Sequence, residues 1–310
     1  MARNRNIRHG LEALLFALGQ GVIPFLPRCC SLGFSRLFGW LAYVVARGQR
    51  RIALANMDAV YGDTLSAREK EALARAAFQT FVQLTFDLFW FSVFTEKRIR
   101  RWVRFDASCE RHCSTWPAVL LGLHLGNWEI LGQALALRGQ LGASVAMPLK
   151  NPWIDARIVA WRRRTGQTII PRNGAVRRLL TILREGGRVA LLIDQNTKPA
   201  EGGVFVDFFG LPAPVSRAAA ALAIRAQAPV IVLHCLPQAD GGYCAYASEP
   251  MPPPADKTAE TDFTRVLCKR MEQTIRSAPE RWLWMYKRWK YIPAGSDPAR
   301  YPFYAKRGKN

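Results

Sequence analysis

One segment concentrates residues that can do chemistry: Gly122-Leu123-His124-Leu125-Gly126-Asn127-Trp128-Glu129. A histidine with a carboxylate held against it is a general base: the carboxylate fixes the tautomer and stabilises the imidazolium, and the free ring nitrogen takes a proton. Ala118–Leu123 reads as a buried strand and a helix is expected to start near Trp128, with His124 on the turn between them. Asn127 is a good N-cap, and Glu129 falls in the first helical turn, where a carboxylate is favoured. Gly122 and Gly126 let the backbone bend. The expectation is that Glu129 folds back onto one ring nitrogen of His124 and leaves the other facing a cleft. The chain has no Gly-x-Ser-x-Gly elbow, so the hydroxyl to be activated would arrive on a substrate, which is direct acyl transfer. Taken alone, His-x4-Glu is a common spacing, and a histidine that only caps a strand has the same signature.

The elements around this segment follow from hydrophobic period. Ala118–Leu123, Ala143–Met147, Val189–Ile193 and Val230–Leu233 read as strands. Ile130–Leu137, Ile154–Thr165, Val176–Arg184, Ala218–Ala226 and Thr261–Ser277 read as helices. That alternation predicts an α/β fold, a central mixed sheet covered by helices. Upstream, Ser66 and Glu69 form a capping-box pattern for a helix over Ser66–Phe94. Its aromatic run, Phe86, Phe89, Trp90, Phe91 and Phe94, reads mainly as core, with a lipid- or acyl-facing surface as the other reading.

The amino terminus is apolar with basic edges. Arg3, Arg5 and Arg8 precede an uncharged run from Ala13 to Pro27, shorter than the about 20 residues that cross a bilayer. A second apolar run, Leu37 to Ala46, is followed by Arg47, Arg50 and Arg51. Two short helices lying in the membrane surface fit this pattern, with Arg28 and Arg36 snorkelling to phosphates. Buried helices of a soluble domain, or one stretched span, are the alternatives.

The 310 residues carry 44 Lys+Arg against 23 Asp+Glu, a net charge of +21. Such an excess calls for an anionic partner: a membrane surface, a phosphorylated substrate, an acidic protein or nucleic acid. No nucleic-acid-binding motif accompanies it. Seven cysteines, an odd and scattered set, suit a reducing compartment. Cys109, His112 and Cys113 lie close together, but no second ligand pair stands at finger spacing, so no metal is expected.

The segment His124 to Glu129 resembles the late acyltransferases of lipid A biosynthesis, the lauroyl and myristoyl transferases. The resemblance continues in order through Lys150-Asn151-Pro152, Arg164-Thr165-Gly166, Ile170-Pro171-Arg172, Asp194-Gln195, Gly203 to Gly210, Ala228-Pro229-Val230, Pro279 to Trp284 and Arg288-Trp289-Lys290. It covers roughly residues 10 to 292. The chain departs from the family at Asn196, where a second acid is usual, at Tyr286, where histidine is common, and at Ser216, in place of threonine.

The resemblance implies a glycerol-3-phosphate acyltransferase-like fold and neither a metal nor an organic cofactor. It implies catalysis by His124 and Glu129, with Asn127, Lys150, Arg164, Asp194 and Gln195 as substrate-binding residues. Arg164, with Arg162 and Arg163, is a candidate for anions or a solvated helix face. Asp194 and Gln195 line a cleft or bind the neighbouring loop. The implied partners are an acyl carrier protein as donor, a lipid A precursor as acceptor and inner-membrane lipids. The implied location is the bacterial inner membrane, with the catalytic domain on the cytoplasmic face. The expected domains are a membrane-anchoring region over 1–50, an acyltransferase domain over 51–295 and a tail over 296–310. An acyl-CoA-dependent transferase acting on another glycolipid, such as a mannosylated one, would use the same motifs. A non-catalytic membrane scaffold would leave the His124 segment unexplained.

Overall fold

The computed structural model describes residues 2–171 and 174–307, with side chains from Arg8 onward. Arg172 and the side chains of Arg3 and Arg5 lie outside the described residues. Four helices lead the chain: α1 (Ala2–Val22), α2 (Arg28–Val45), α3 (Arg47–Tyr61) and α4 (Ala67–Trp90). Pro24 sits in a short 3-10 turn after α1, and Pro27 stands at the N-cap of α2. Proline is tolerated there because no helical N–H is lost. Both halves of the capping box form at Ser66 and Glu69. α4 stops at Trp90, short of the expected Phe94, which takes a left-handed φ of 53° as N-cap of α5 (Thr95–Trp102). Phe89, Trp90 and Phe91 are core, whereas Phe94 is exposed.

The α/β part runs β1 (Val103–Phe105), α6 (Ala107–His112), β2 (Ala118–Gly126), α7 (Trp128–Leu137), β3 (Ala143–Ala146), α8 (Pro152–Arg164), β4 (Thr168–Pro171), α9 (Ala175–Arg184) and β5 (Arg188–Leu192). A hairpin follows, β6 (Gly203–Phe208) with β7 (Leu211–Ser216). Then come α10 (Ala218–Ala226), β8 (Val230–Pro237), β9 (Tyr243–Ala247), α11 (Glu260–Ser277) and a short pair, β10 (Tyr291–Ile292) with β11 (Lys306–Arg307). The seven-stranded sheet has the order β1-β9-β8-β2-β5-β3-β4. It is mixed: β8 and β9 run antiparallel, and the other neighbours are parallel.

β2 lies inside this sheet, so both of its faces are covered and its sequence reads as an unbroken apolar run. Val119, Leu121, Leu123 and Leu125 enter one core, with α9, α10 and α11; Ala118 and Leu120 enter the other, with α7. The strand extends to Gly126, so His124 lies within β2 and not on the connecting turn expected for it. Its ladder with β8 shifts register between Gly122 and Gly126.

α2 is turned inside out. Its buried residues are Arg28, Ser31, Ser35, Gly39 and Tyr43, while Phe34, Phe38, Trp40 and Val45 are exposed. The small residues bring α2 close to α4: a Cβ on Gly39 would sit 2.6 Å from the Gln79 Cα. That approach carries Arg28 inward. The expected snorkelling arginine is instead buried against Asp87, with its Nε donating to the Gly241 carbonyl at 2.9 Å. Arg36 is exposed. Leu11, Leu14, Leu15 and Leu18 of α1 are also exposed. Among the described residues no single helix is long and apolar enough to cross a membrane; α2 and the following segment pass together, with an 88° bend between them.

Candidate active site

Strand register brings the first two residues of the site together. β2 and β5 are parallel neighbours with Gly122 opposite Leu192, so two residues further on His124 comes level with Asp194. The Asp194 carboxylate holds His124 at two points. Oδ2 accepts the His124 backbone N–H at 2.9 Å, and Oδ1 lies 2.7 Å from ring Nδ1. The Trp282 indole N–H donates to Oδ2 at 3.0 Å. Trp282 is delivered by an antiparallel bridge to Leu125, and the Leu283 N–H donates to the His124 carbonyl at 3.2 Å. Burial pushes the Asp194 carboxyl up; the imidazole, the indole and the His124 amide outweigh it and hold it below the ordinary carboxylate range. Asp194 is therefore a buried anion ready to stabilise an imidazolium.

With Nδ1 given to Asp194, Nε2 is the nitrogen left for chemistry. Gln195 Nε2 lies 3.2 Å from it, and the Trp128 ring packs edge-on to the imidazole at 4.7 Å. Asp194 and Gln195 are the hydrogen-bonding partners of the ring among the described residues, and neither is a nucleophile.

Glu129 stands in the first turn of α7, as expected, but its carboxylate is not the one on His124. Arg162 of α8 binds it at two points, Nε to Oε2 at 3.0 Å and Nη2 to Oε1 at 2.5 Å. Burial lowers the Arg162 pKa, and the Glu129 charge and hydrogen bonds more than reverse it. The bidentate geometry is the strong form of a charge-assisted pair. The pairing has a plain cause: the planar guanidinium fork of Arg162 matches a carboxylate at two points, whereas the imidazole Nδ1 is already held by Asp194.

Asn127 caps α7 as expected, its Oδ1 accepting the Ile130 N–H at 3.0 Å. Gly126 before it has φ +64°, and a Cβ there would lie 2.0 Å from the Cys235 carbonyl oxygen, so only glycine fits this turn. Lys150 is exposed at the entrance to α8, and Arg164 reaches the Ser92 carbonyl at 3.4 Å. Neither makes a hydrogen bond to His124. Asp194 and Gln195 were placed from sequence at a strand end; Trp282, Trp128 and the Arg162–Glu129 pairing were not assigned there. Trp282 did carry a signal, since a tryptophan can donate only through its indole N–H and is buried here with a partner.

Residues 2–291 match the family described as bacterial lipid A biosynthesis acyltransferase. The chain belongs to that family. Within it and beside it stand named relatives. The chain is 24% identical over 287 residues to the lipid A biosynthesis palmitoleoyltransferase of Escherichia coli K12, covering 89% of each chain. It is 30% identical over 178 residues to the phosphatidylinositol mannoside acyltransferase of Mycobacterium tuberculosis, covering 56% of this chain and 54% of that one. The match to the mycobacterial relatives therefore spans about half of their length. A solved acyltransferase, the 1-acyl-sn-glycerophosphate acyltransferase of Thermotoga maritima, aligns over 81% of this chain and 96% of its own at 14% identity and a TM-score of 0.36.

Proposed function

We propose that this family member transfers a fatty acyl chain from a thioester donor to a hydroxyl of a glycolipid, with His124 as general base. The observation that carries the reading is the 2.7 Å contact between His124 Nδ1 and the buried Asp194 carboxylate, which leaves Nε2 as the proton acceptor. The acceptor hydroxyl gives its proton to Nε2 as its oxygen attacks the thioester carbonyl carbon. The imidazolium that results faces Asp194. Collapse of the tetrahedral intermediate breaks the C–S bond, and Nε2 returns the proton to the leaving sulfur. No covalent enzyme intermediate is needed. The bidentate Arg162–Glu129 pair ties α8 to the first turn of α7 beside this site.

The donor in this reading is an acyl carrier protein, an acidic partner suited to a chain of net charge +21. The acceptor is a lipid A precursor. A mannosylated phospholipid with an acyl-CoA donor is the second reading, favoured by the likeness to the mycobacterial phosphatidylinositol mannoside acyltransferase. The outward apolar faces of α1 and α2 support seating on a bilayer, because in water such faces would be turned inward. Within a bacterial cell that surface is the inner membrane, with the site on its cytoplasmic side, where acyl thioesters are made.

The purified protein should acylate a lipid A precursor in the presence of acyl carrier protein thioester, and His124→Ala should lose about 10²-fold or more of that rate. Turnover of acyl-CoA with a mannosylated acceptor, and none with the lipid A precursor, would select the second reading. Near-wild-type transfer by folded His124→Ala would remove the base assignment from both.

A further inference from the structure

The seat of α2 and the turn that carries His124 share one buried carboxylate. Asp87, on α4, is 2% exposed. Its Oδ1 accepts from Arg28 Nη1, and its Oδ2 accepts from the Tyr243 hydroxyl, from Arg28 Nη2 at 3.4 Å and from Asn127 Nδ2 at 3.4 Å. Four hydrogen bonds from three residues thus converge from the start of α2, from β9 and from the cap of α7. Arg28 itself lies over the Trp90 ring at 4.8 Å and is anchored to the Gly241 carbonyl. Gln83 reaches the Tyr243 hydroxyl at 3.0 Å. The acyl-transfer step described above uses none of these groups.

The consequence falls on Asn127. Its carboxamide has one acceptor and one donor end, and the acceptor end caps Ile130. If the carboxamide were rotated, its NH2 would meet the Ile130 N–H and its oxygen would meet the Asp87 carboxylate. Asp87 thereby selects the rotamer that caps the helix. The Asn127 backbone N–H donates to the Cys235 carbonyl at 2.9 Å, so the segment between His124 and Glu129 is pinned at a side chain and at the main chain.

We propose that Asp87 is a positioning residue: by fixing the Asn127 carboxamide it sets the turn from β2 into α7, and by its pair with Arg28 it ties that turn to the helix whose outer face is apolar. The inference rests on the reading of His124 as the base. It concerns orientation and not contact with substrate, so it bears on turnover and not on donor binding.

The experiment compares full-length wild type, Asn127→Asp, Asn127→Ser, the exchanged pair Asp87→Asn with Asn127→Asp, and His124→Ala. For each, kcat and the KM for the acyl donor, acyl carrier protein thioester or acyl-CoA, are measured well below the lowest melting temperature. Asn127→Asp keeps a good cap and sets two carboxylates against each other; its kcat is expected to fall about tenfold or more with KM within about twofold. Asn127→Ser keeps the cap and loses the donor to Asp87, and its kcat is also expected to fall. The exchanged pair restores one donor against one carboxylate between the two positions but takes the Asp87 counter-charge from Arg28, so it should recover part of the kcat that Asn127→Asp loses. A role confined to folding would lower melting temperatures and leave the kcat of the folded singles at the wild-type value, which overturns the proposal. Recovery of stability without recovery of kcat in the exchanged pair also overturns it, since Asn127 would then act on substrate directly. Should the exchanged pair not fold, wild-type kcat in Asn127→Ser is decisive against it. An active His124→Ala would instead show that the base reading has failed, whereas an inactive His124→Ala beside unchanged Asn127 variants rejects the Asp87 proposal alone.

Discussion

Asp194 accepts the backbone N–H of His124 with one oxygen, at 2.9 Å, and meets its ring Nδ1 with the other, at 2.7 Å. A carboxylate bound in this way fixes the position of the strand as well as the tautomer of the ring. The Trp282 indole supplies a third hydrogen bond, to the oxygen that also takes the His124 N–H, and the carboxylate itself is buried.

Glu129 is paired with Arg162 instead. Because Arg162 binds both of its oxygens, Glu129→Gln leaves a largely buried guanidinium without its counter-charge. The substitution is expected to destabilise the fold by about 1–3 kcal/mol in denaturant unfolding. Replacing both residues with leucine should cost less than that single change, because no unpaired charge remains. Equal stability of Glu129→Gln and wild type would mean that the pair does not hold α8 on α7.

Arg288 is a buried cation whose Nε and Nη2 lack hydrogen-bond partners among the described residues. Its Nη1 donates to Asn196 Oδ1 at 2.8 Å, at the position where the resemblance leads one to expect an acid. Burial holds its pKa below the ordinary arginine value. Asn196→Asp would place a carboxylate on it and is expected to raise the melting temperature by a few degrees, about 1 kcal/mol, net of the lost bond to the Lys287 carbonyl. A lowered melting temperature would show that the amide is the better partner.

His234 packs against the Tyr246 ring at 5.2 Å, and its Nδ1 has no hydrogen-bond partner among the described residues. Burial pushes its pKa down to about 4 against a smaller upward pull from Asp106. The folded chain thus keeps it neutral where the unfolded chain takes a proton. This contribution is complete above about pH 6.5 and is lost as pH falls toward 4, on the order of 3 kcal/mol in all. Urea midpoints at pH 7 and 4.5 should differ less in His234→Phe than in wild type. An unchanged difference would assign the acid sensitivity to other groups.

The outward face of α2 is expected to carry membrane binding. Phe38→Glu with Trp40→Glu changes two residues that are 49% and 47% exposed, so the fold should be kept while flotation with phospholipid vesicles is lost. Full flotation of that variant at high salt would locate the attachment elsewhere.

What could be read from sequence was local. The Ser66–Glu69 box and the Asn127 cap depend on residues three apart, and both form. The buried strands announced themselves as apolar runs. β7 did not, because Pro212 and Pro214 argue against a strand; it pairs only with β6 in a separate two-stranded hairpin, where missing N–H groups are tolerated. The partner of His124 could not be found by spacing, since Asp194 reaches it only through the order of strands β2 and β5, separated by two further strands and three helices. The burial of Arg28 is not legible in the sequence for a related reason: whether a helix turns its charged or its apolar side outward depends on what it packs against, and α4 accepts the small-residue side.

Asp194, and not Glu129, is the carboxylate placed to orient His124. That role is tested most directly by the single-turnover rate of acyl transfer in Asp194→Asn, in His124→Ala and in the double variant, each confirmed to be folded. Asn at 194 can turn its NH2 toward Nδ1 and favour the wrong tautomer, so the rate should fall about 10²–10⁴-fold. The double variant should be little slower than His124→Ala alone, as expected for two parts of one unit. A folded Asp194→Asn with near-wild-type rate, or a double variant whose losses multiply, would contradict the account.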